Sequence, residues 1–209
     1  MSLQSLKLPV TPFDIPEEGP LPCDIYTADD VLLCKKGEVE LLDYQKRILR
    51  SQGFKISNST KPIPSPSYSL PSLEVTMPIR QLLPLEDADV LIADDMPLMR
   101  SLLIQMLRKN GIKKLTTVDD GKKAIIHFFY YQPHIVFLDI DMPELNGIIV
   151  LKQIKNWSPN TFVCMITGNS TLINVQQTKA IGVDAFLVKP VSPLNMERVL
   201  ALYRSKLII

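Results

Sequence analysis

Histidine is nearly absent from this chain: only His127 and His134 occur among 209 residues. Their spacing matches no metal-pair pattern, so no zinc ligand set is present. Cysteine is scarce as well. Cys23, Cys34 and Cys164 are odd in number and lack a CxxC spacing, and they read as small buried apolar residues of a reducing compartment. Charge of one sign is missing too, because 23 basic and 22 acidic residues leave a net charge of +1. No strong field therefore draws the chain to nucleic acid or to an acidic membrane surface. No uncharged apolar run approaches the roughly 20 residues that cross a bilayer, and Met1–Pro9 has no sustained apolar core of the signal-peptide kind. The expectation is a cytoplasmic protein with no nucleic-acid partner and no membrane insertion.

Proline, by contrast, is concentrated. Between Ser57 and Pro84 stand prolines 62, 64, 66, 71, 78 and 84, interleaved with serines 57, 59, 65, 67, 69 and 72. Such a stretch cannot build a packed core and reads as an extended, semi-rigid tether. It divides the chain into residues 1–56, a linker over 57–86, and residues 87–209. The first part has strand-like runs at Pro22–Tyr26 and Val31–Cys34 joined by a turn at Asp29-Asp30. A second turn follows at Lys36-Gly37, then a helical stretch over Leu41–Ser51 that stops at Gly53. This is a small α+β module. Its 7 basic and 9 acidic residues give it a charge of −2, which argues against DNA binding.

After the linker, strand and helix alternate five times. Strands are expected at Asp89–Asp94, Leu115–Val118, Ile135–Asp139, Phe162–Thr167 and Ala185–Val188. Helices are expected from Pro97 to the Asn110-Gly111 stop, from Asp119-Asp120-Gly121 to Tyr131, and over about 145–155, 171–181 and 193–205. Near-continuous apolar strands alternating with helices imply a five-stranded, doubly wound parallel sheet of the flavodoxin-like kind, covered on both faces.

The strand ends carry the chemistry. Asp139 closes the run Ile135-Val136-Phe137-Leu138, Asp94 and Asp95 follow Val90-Leu91-Ile92-Ala93, Thr167 ends Phe162–Ile166, and Lys189 follows Ala185–Val188. Ligands of doubly wound folds bind at that rim. Taken singly, Asp139 reads equally well as a turn former, Lys189 as a solvated loop lysine, and Phe186 as an ordinary core aromatic. Together, three acids, a hydroxyl and an ammonium suit phosphoryl handling. A carboxylate can accept a phosphoryl group as an acyl phosphate once the charges are offset. Crowded acids repel each other, and Mg2+ relieves this with carboxylates, waters and phosphate oxygens around it. Asp95 and Asp139 are the expected direct ligands, with Asp94 direct or through water and Asp141 through its backbone carbonyl. Lys189 and Thr167 would then contact phosphoryl oxygens.

At these residues the sequence resembles the receiver domain of bacterial two-component response regulators, of the chemotaxis-regulator type. The resemblance rests on Asp94-Asp95, on Leu138-Asp139-Ile140-Asp141-Met142-Pro143 with Gly147, on Thr167-Gly168 and on Lys189-Pro190. Its spacings are 44 positions from Asp95 to Asp139 and 22 from Thr167 to Lys189. It spans about residues 87–209. It implies that Asp139 takes a phosphoryl group from a histidine kinase or phosphotransfer protein, with Mg2+ as cofactor. Thr167 would move toward the phosphate and Phe186 would turn inward. This would alter a face built from the helix near 171–181, the Lys189 strand and the last helix, and a downstream protein target would read it. Homodimerisation through this C-terminal region is common in that family. The chain would then be no enzyme beyond its own phosphoryl transfer and dephosphorylation. Gly168 departs from the alanine more usual after the switch threonine, and Asp141 adds an acid beside the site.

Two other readings stand beside this one. Asp139-Ile140-Asp141 is similar to the DxD of haloacid-dehalogenase-type phosphatases. There, however, the fourth residue after the nucleophile is usually threonine or valine, not Pro143, and the second acidic pair lies downstream. Alternatively the receiver controls a ligand-binding or enzymatic output in residues 1–56, although that segment has no glycine-rich phosphate loop or clustered histidines. Finally, Ile126, Phe129 and Tyr130 recur at helical spacing on the face of the Lys122–Tyr131 helix expected to point away from the sheet. They are the candidate interface.

Overall fold

The computed structural model describes residues 6–10, 14–16, 18–57, 82–168 and 172–207. The chain divides into two compact units, residues 1–77 and 78–209. Most of the expected tether, residues 58–81, lies outside the described residues.

The N-terminal unit holds β1 (Leu6–Pro9), β2 (Ile25–Tyr26), β3 (Leu32–Cys34), α1 (Asp43–Gln52) and β4 (Phe54–Ser57). The strands form an antiparallel sheet in the order β1-β4-β2-β3. Thr27, itself buried, accepts from the N–H groups of Asp29 and Val31 through its hydroxyl oxygen and so closes the turn between β2 and β3. Ile48 and Leu49 of α1 reach a small core with Ile15, Leu21, Ile25, Val31 and Leu33. Sequence reading finds the hairpin and the helix but neither β1 nor β4. Each is only four residues long, and they become strands by pairing across the unit, Leu6 with Ser57 and Pro9 with Phe54. Ser57 therefore ends a strand and does not begin the tether.

In the C-terminal unit β5 (Asp89–Ala93), α2 (Pro97–Lys109), β6 (Lys114–Val118), α3 (Gly121–Tyr131) and β7 (Ile135–Asp139) come first. They are followed by α4 (Gly147–Trp157), β8 (Phe162–Thr167), α5 (Leu172–Ile181), β9 (Ala185–Val188) and α6 (Pro193–Ser205). All pairings are parallel, in the order β6-β5-β7-β8-β9. This is the expected five-stranded doubly wound sheet. Its strand order reverses between β5 and β7, so their C-terminal ends open a crevice where loops diverge to opposite faces. No helix among the described residues is long and apolar enough to cross a membrane.

The start of this unit lies earlier than sequence reading puts it. Leu85 is 4% exposed and belongs to the sheet's core cluster. The Tyr203 hydroxyl on α6 donates to the Leu83 carbonyl at 2.7 Å and accepts from the Leu83 N–H at 3.2 Å. The last residues given to the tether thus pack against α6. The anchor is 120 positions away along the chain, which is why local composition does not reveal it.

The expectation for α3 needs a correction. Phe129 is 0% exposed and cannot belong to an open patch. Its ring meets Trp157 of α4 edge-on at 6.0 Å, while Phe128 meets the same indole at 6.3 Å. A helix on a doubly wound sheet is covered by its neighbouring helix as well as by the strands, so its buried arc is wider than one stripe. Ile126 is 36% exposed and Tyr130 is half-buried, so the proposed interface loses its central ring.

His127, one residue after Ile126, lies against the Tyr131 ring at 4.7 Å, and its Nδ1 is buried without a hydrogen-bond partner. Burial lowers its pKa from the usual histidine value, because the charged form is disfavoured away from water. The folded state resists a proton that the unfolded chain accepts below about 6.5. Stability should therefore be unaffected above that pH and fall progressively as pH drops below it. The urea midpoint measured against pH should decline less steeply below pH 6.5 in His127→Phe, which keeps a ring on Tyr131. An identical decline would refute the assignment.

Candidate phosphoacceptor site

Each candidate side chain stands where a strand ends. Asp139 is the last residue of β7 and Thr167 the last of β8. Asp94 and Asp95 follow β5, and Lys189 follows β9. Strands flanked by others on both sides, β5 and β7, carry the acids, so those carboxylates arise from the floor of the crevice. Asp139 is 2% exposed and Asp94 is fully buried, whereas Asp95 is exposed.

The Lys189 ammonium joins the buried acids. It donates to Asp139 Oδ2 at 2.8 Å and lies 2.9 Å from Asp94 Oδ2. The Asp94 approach is a charge contact, since that oxygen has no well-angled hydrogen-bond donor. The other oxygens take backbone donors, Ile140 N–H to Asp139 Oδ1 at 2.9 Å and Met96 N–H to Asp94 Oδ1 at 2.8 Å. The Lys189 N–H itself donates to the Thr167 carbonyl at 2.8 Å, which ties the β9 end to the β8 end. Burial pushes the Asp139 carboxyl above the usual carboxylate range; the Lys189 ammonium works against this and the Asp94 charge adds to it. For Lys189 burial acts to lower the pKa, but its two carboxylate partners outweigh this and hold it above the usual lysine value.

Carboxylate oxygens of Asp94, Asp95 and Asp139 all lie within 4.8 Å of one another. Three formal negative charges against one ammonium leave an excess of two. Hard oxygen donors at that spacing suit a divalent cation such as Mg2+, so the residues fit the expected metal. Asp141 is exposed and its carboxylate is outside this cluster. Phe186 is half-buried on β9 in register with Met165 of β8. A cleft of about 610 Å3 lined by Asp89, Lys114, His127 and Tyr131, among others, includes none of Asp94, Asp95 and Asp139.

Glycines shape the loop that follows Asp139. A Cβ on Gly147 would stand 1.9 Å from the Asp139 carbonyl oxygen, and one on Gly121 would stand 2.0 Å from that of Leu145. The start of α4 therefore abuts β7 at Asp139, and the start of α3 abuts the loop between them. Lys122 secures the same loop through an ion pair with Glu144 at 2.6 Å. Sequence reading names Gly147 but gives it no role, and it misses Arg100. The Arg100 guanidinium donates from Nη1 to the backbone carbonyls of Asp94, at 2.7 Å, and Asp95, at 3.1 Å. The only trace of this in the sequence is an arginine within two turns of an acidic pair.

Comparison with known proteins agrees with the geometry. Residues 90–201 match the family described as the response regulator receiver domain. The chemotaxis protein CheY of Thermotoga maritima is 36% identical over 106 residues, covering 50% of this chain and 87% of that protein. CheY of Bacillus subtilis is 32% identical over 101 residues, covering 48% and 84%. Among solved structures, the receiver domain of the Francisella response regulator 1452 aligns with a TM-score of 0.52 at 29% identity, covering 57% of this chain and 99% of that one. A protein-glutamate methylesterase/protein-glutamine glutaminase of Desulfitobacterium hafniense is 36% identical over 98 residues, but only 25% of its length is covered.

Proposed function

Because this chain belongs to the response regulator receiver family, we propose that it is a phosphorylation-dependent switch whose phosphoacceptor is Asp139. The observation that carries this reading is the Lys189 ammonium lying between Asp139 and Asp94, with Asp95 in the same acid cluster. A carboxylate oxygen of Asp139 attacks phosphorus. An O–P bond forms while the N–P bond of a donor phosphohistidine breaks, and the electron pair leaves on the imidazole nitrogen. The donor is a histidine kinase or phosphotransfer protein, since both histidines of this chain lie outside the acid cluster.

Asp94, Asp95 and Asp139, with the Asp141 backbone carbonyl, would hold Mg2+. The ion supplies positive charge to the acceptor carboxylate and the incoming phosphoryl oxygens. Lys189 pairs with one phosphoryl oxygen as a point charge, and the Thr167 hydroxyl donates to another. Movement of Thr167, with Phe186 following, carries the state of Asp139 to the face of α5, β9 and α6, which a downstream protein reads.

Intact mass after incubation with Mg2+ and acetyl phosphate tests this. The parent should gain one phosphoryl group only when the metal is present, and Asp139→Asn should gain none. A parent that stays unmodified, or an Asp139→Asn variant that is modified equally, would overturn the reading.

A further inference from the structure

The exposed ligand of the acid cluster has no side-chain support. Asp95 is exposed, and among the described residues no hydrogen-bond donor meets its carboxylate. Asp94, by contrast, is held by Met96 N–H and Lys189. What aims Asp95 must therefore be its backbone.

That backbone sits at an awkward junction. The Asp94 N–H still pairs with Val118 O of β6 at 3.3 Å, and the first intrahelical bond of α2 runs from Arg100 N–H to Met96 O at 3.1 Å. The carbonyls of Asp94 and Asp95 fall between ladder and helix, and Pro97 at the helix start has no N–H to offer. The Asp94 carbonyl is part-buried, where lack of a partner is costly, while the Asp95 carbonyl is at the exposed surface. Arg100 reaches back from the first turn of α2 and supplies both partners from one guanidinium nitrogen. A cation near a helix N-terminus opposes the helix dipole, so this placement has a local cost that the two carbonyl bonds offset. The same guanidinium is near the β6–α3 loop, where its charge assists the Lys123 hydrogen bond in holding Asp119 below the usual carboxylate range.

We propose that Arg100 is a positioning residue for the metal site: by fixing the Asp94 and Asp95 carbonyls it sets the peptide planes that aim the Asp95 carboxylate at Asp94 and Asp139. This rests on the phosphoacceptor reading of the site. Both of these Arg100 hydrogen bonds go to backbone carbonyls and neither to a carboxylate of the cluster. Its removal should act through the affinity of the acid cluster for a divalent cation, as loss of an outer partner commonly weakens metal binding by about 10- to 100-fold.

The test is Mn2+ binding to the full-length protein without phosphodonor, read from the electron paramagnetic resonance signal of free Mn2+ and competed with Mg2+. Arg100→Met keeps the aliphatic stem and should bind about tenfold more weakly. Arg100→Lys, with a single ammonium in place of the planar fork, should fall between Met and the parent. The magnesium concentration for half-maximal adduct formation should rise by the same factor. A merely structural role would lower the urea midpoint and leave both titrations in place. Equal Mn2+ affinity in parent and Arg100→Met would overturn the inference while leaving the phosphoacceptor reading intact. A parent that binds no Mn2+ would overturn both.

Discussion

Gly147→Ala should destabilise the C-terminal unit by about 3 kcal/mol or more, at or above the top of the usual range for overpacking, and should also impair phosphorylation. The new methyl carbon would stand 1.9 Å from the Asp139 carbonyl oxygen and 2.9 Å from its carbonyl carbon. Neither neighbour is a flexible side-chain tip that can swing aside; both are backbone of Asp139 at the end of β7. Gly147 N–H also donates to Ile140 O at 2.9 Å, and Ile140 N–H is the donor to Asp139 Oδ1. Relief of the clash must separate α4 from β7, which shifts Asp139 relative to Lys189. Urea unfolding followed through Trp157, the single tryptophan, reports on this unit because the indole is buried on α4. The contrasting variant is Gly168→Ala. Gly168 has nothing within 4 Å of an added Cβ and no positive φ, so its midpoint should match the parent. Equal midpoints for Gly147→Ala and Gly168→Ala would refute the packing argument.

Lys155→Met should cost about 3–5 kcal/mol, the range for breaking a buried ion pair by removing one partner. Lys155 and Asp184 side chains are each 8% exposed and meet at 2.7 Å. Lys155 Nζ also donates to Thr161 O at 2.8 Å and to Pro159 O at 3.2 Å, so one ammonium closes the turn between α4 and β8. Burial lowers its pKa, against the pull of Asp184. Asp184 cannot simply be removed along with it, because its Oδ2 accepts from Val163 N–H at 2.8 Å and its Oδ1 pairs with Lys206. The double variant Lys155→Met/Asp184→Asn should therefore recover only part of the loss, since the asparagine oxygen can still serve Val163. A Lys155→Met midpoint within error of the parent would show that solvent already reaches the pair.

Both variants act through contacts that join separated parts of the chain, and the same division runs through what was legible beforehand. The charged strand ends are plain in the sequence because each strand is a short apolar run broken by turn formers: Asp139 ahead of Met142-Pro143, Lys189 ahead of Pro190, Asp95 ahead of Pro97. A strand's length and its terminal residue are local properties, and parallel strands with helices between them can wind in few ways. The five-stranded sheet, and the strand ends on which Asp94, Asp95 and Asp139 stand, follow from that alone.

Tertiary structure decided the rest. It brought Lys189 onto Asp139 from 50 positions away, turned Phe129 inward because α4 happens to present Trp157 there, and made strands of Leu6–Pro9 and Phe54–Ser57 by pairing them with each other and Phe54 with Tyr26 of β2. It also gave Leu85 to the sheet core through α6. A four-residue segment or a single ring carries too little free energy by itself to choose an environment; hydrogen-bond pairing and burial against distant partners choose it. Arg100 falls in the same class. Its charge is written in the sequence, but its partners are backbone carbonyls, whose orientation exists only once β5, β6 and α2 are assembled.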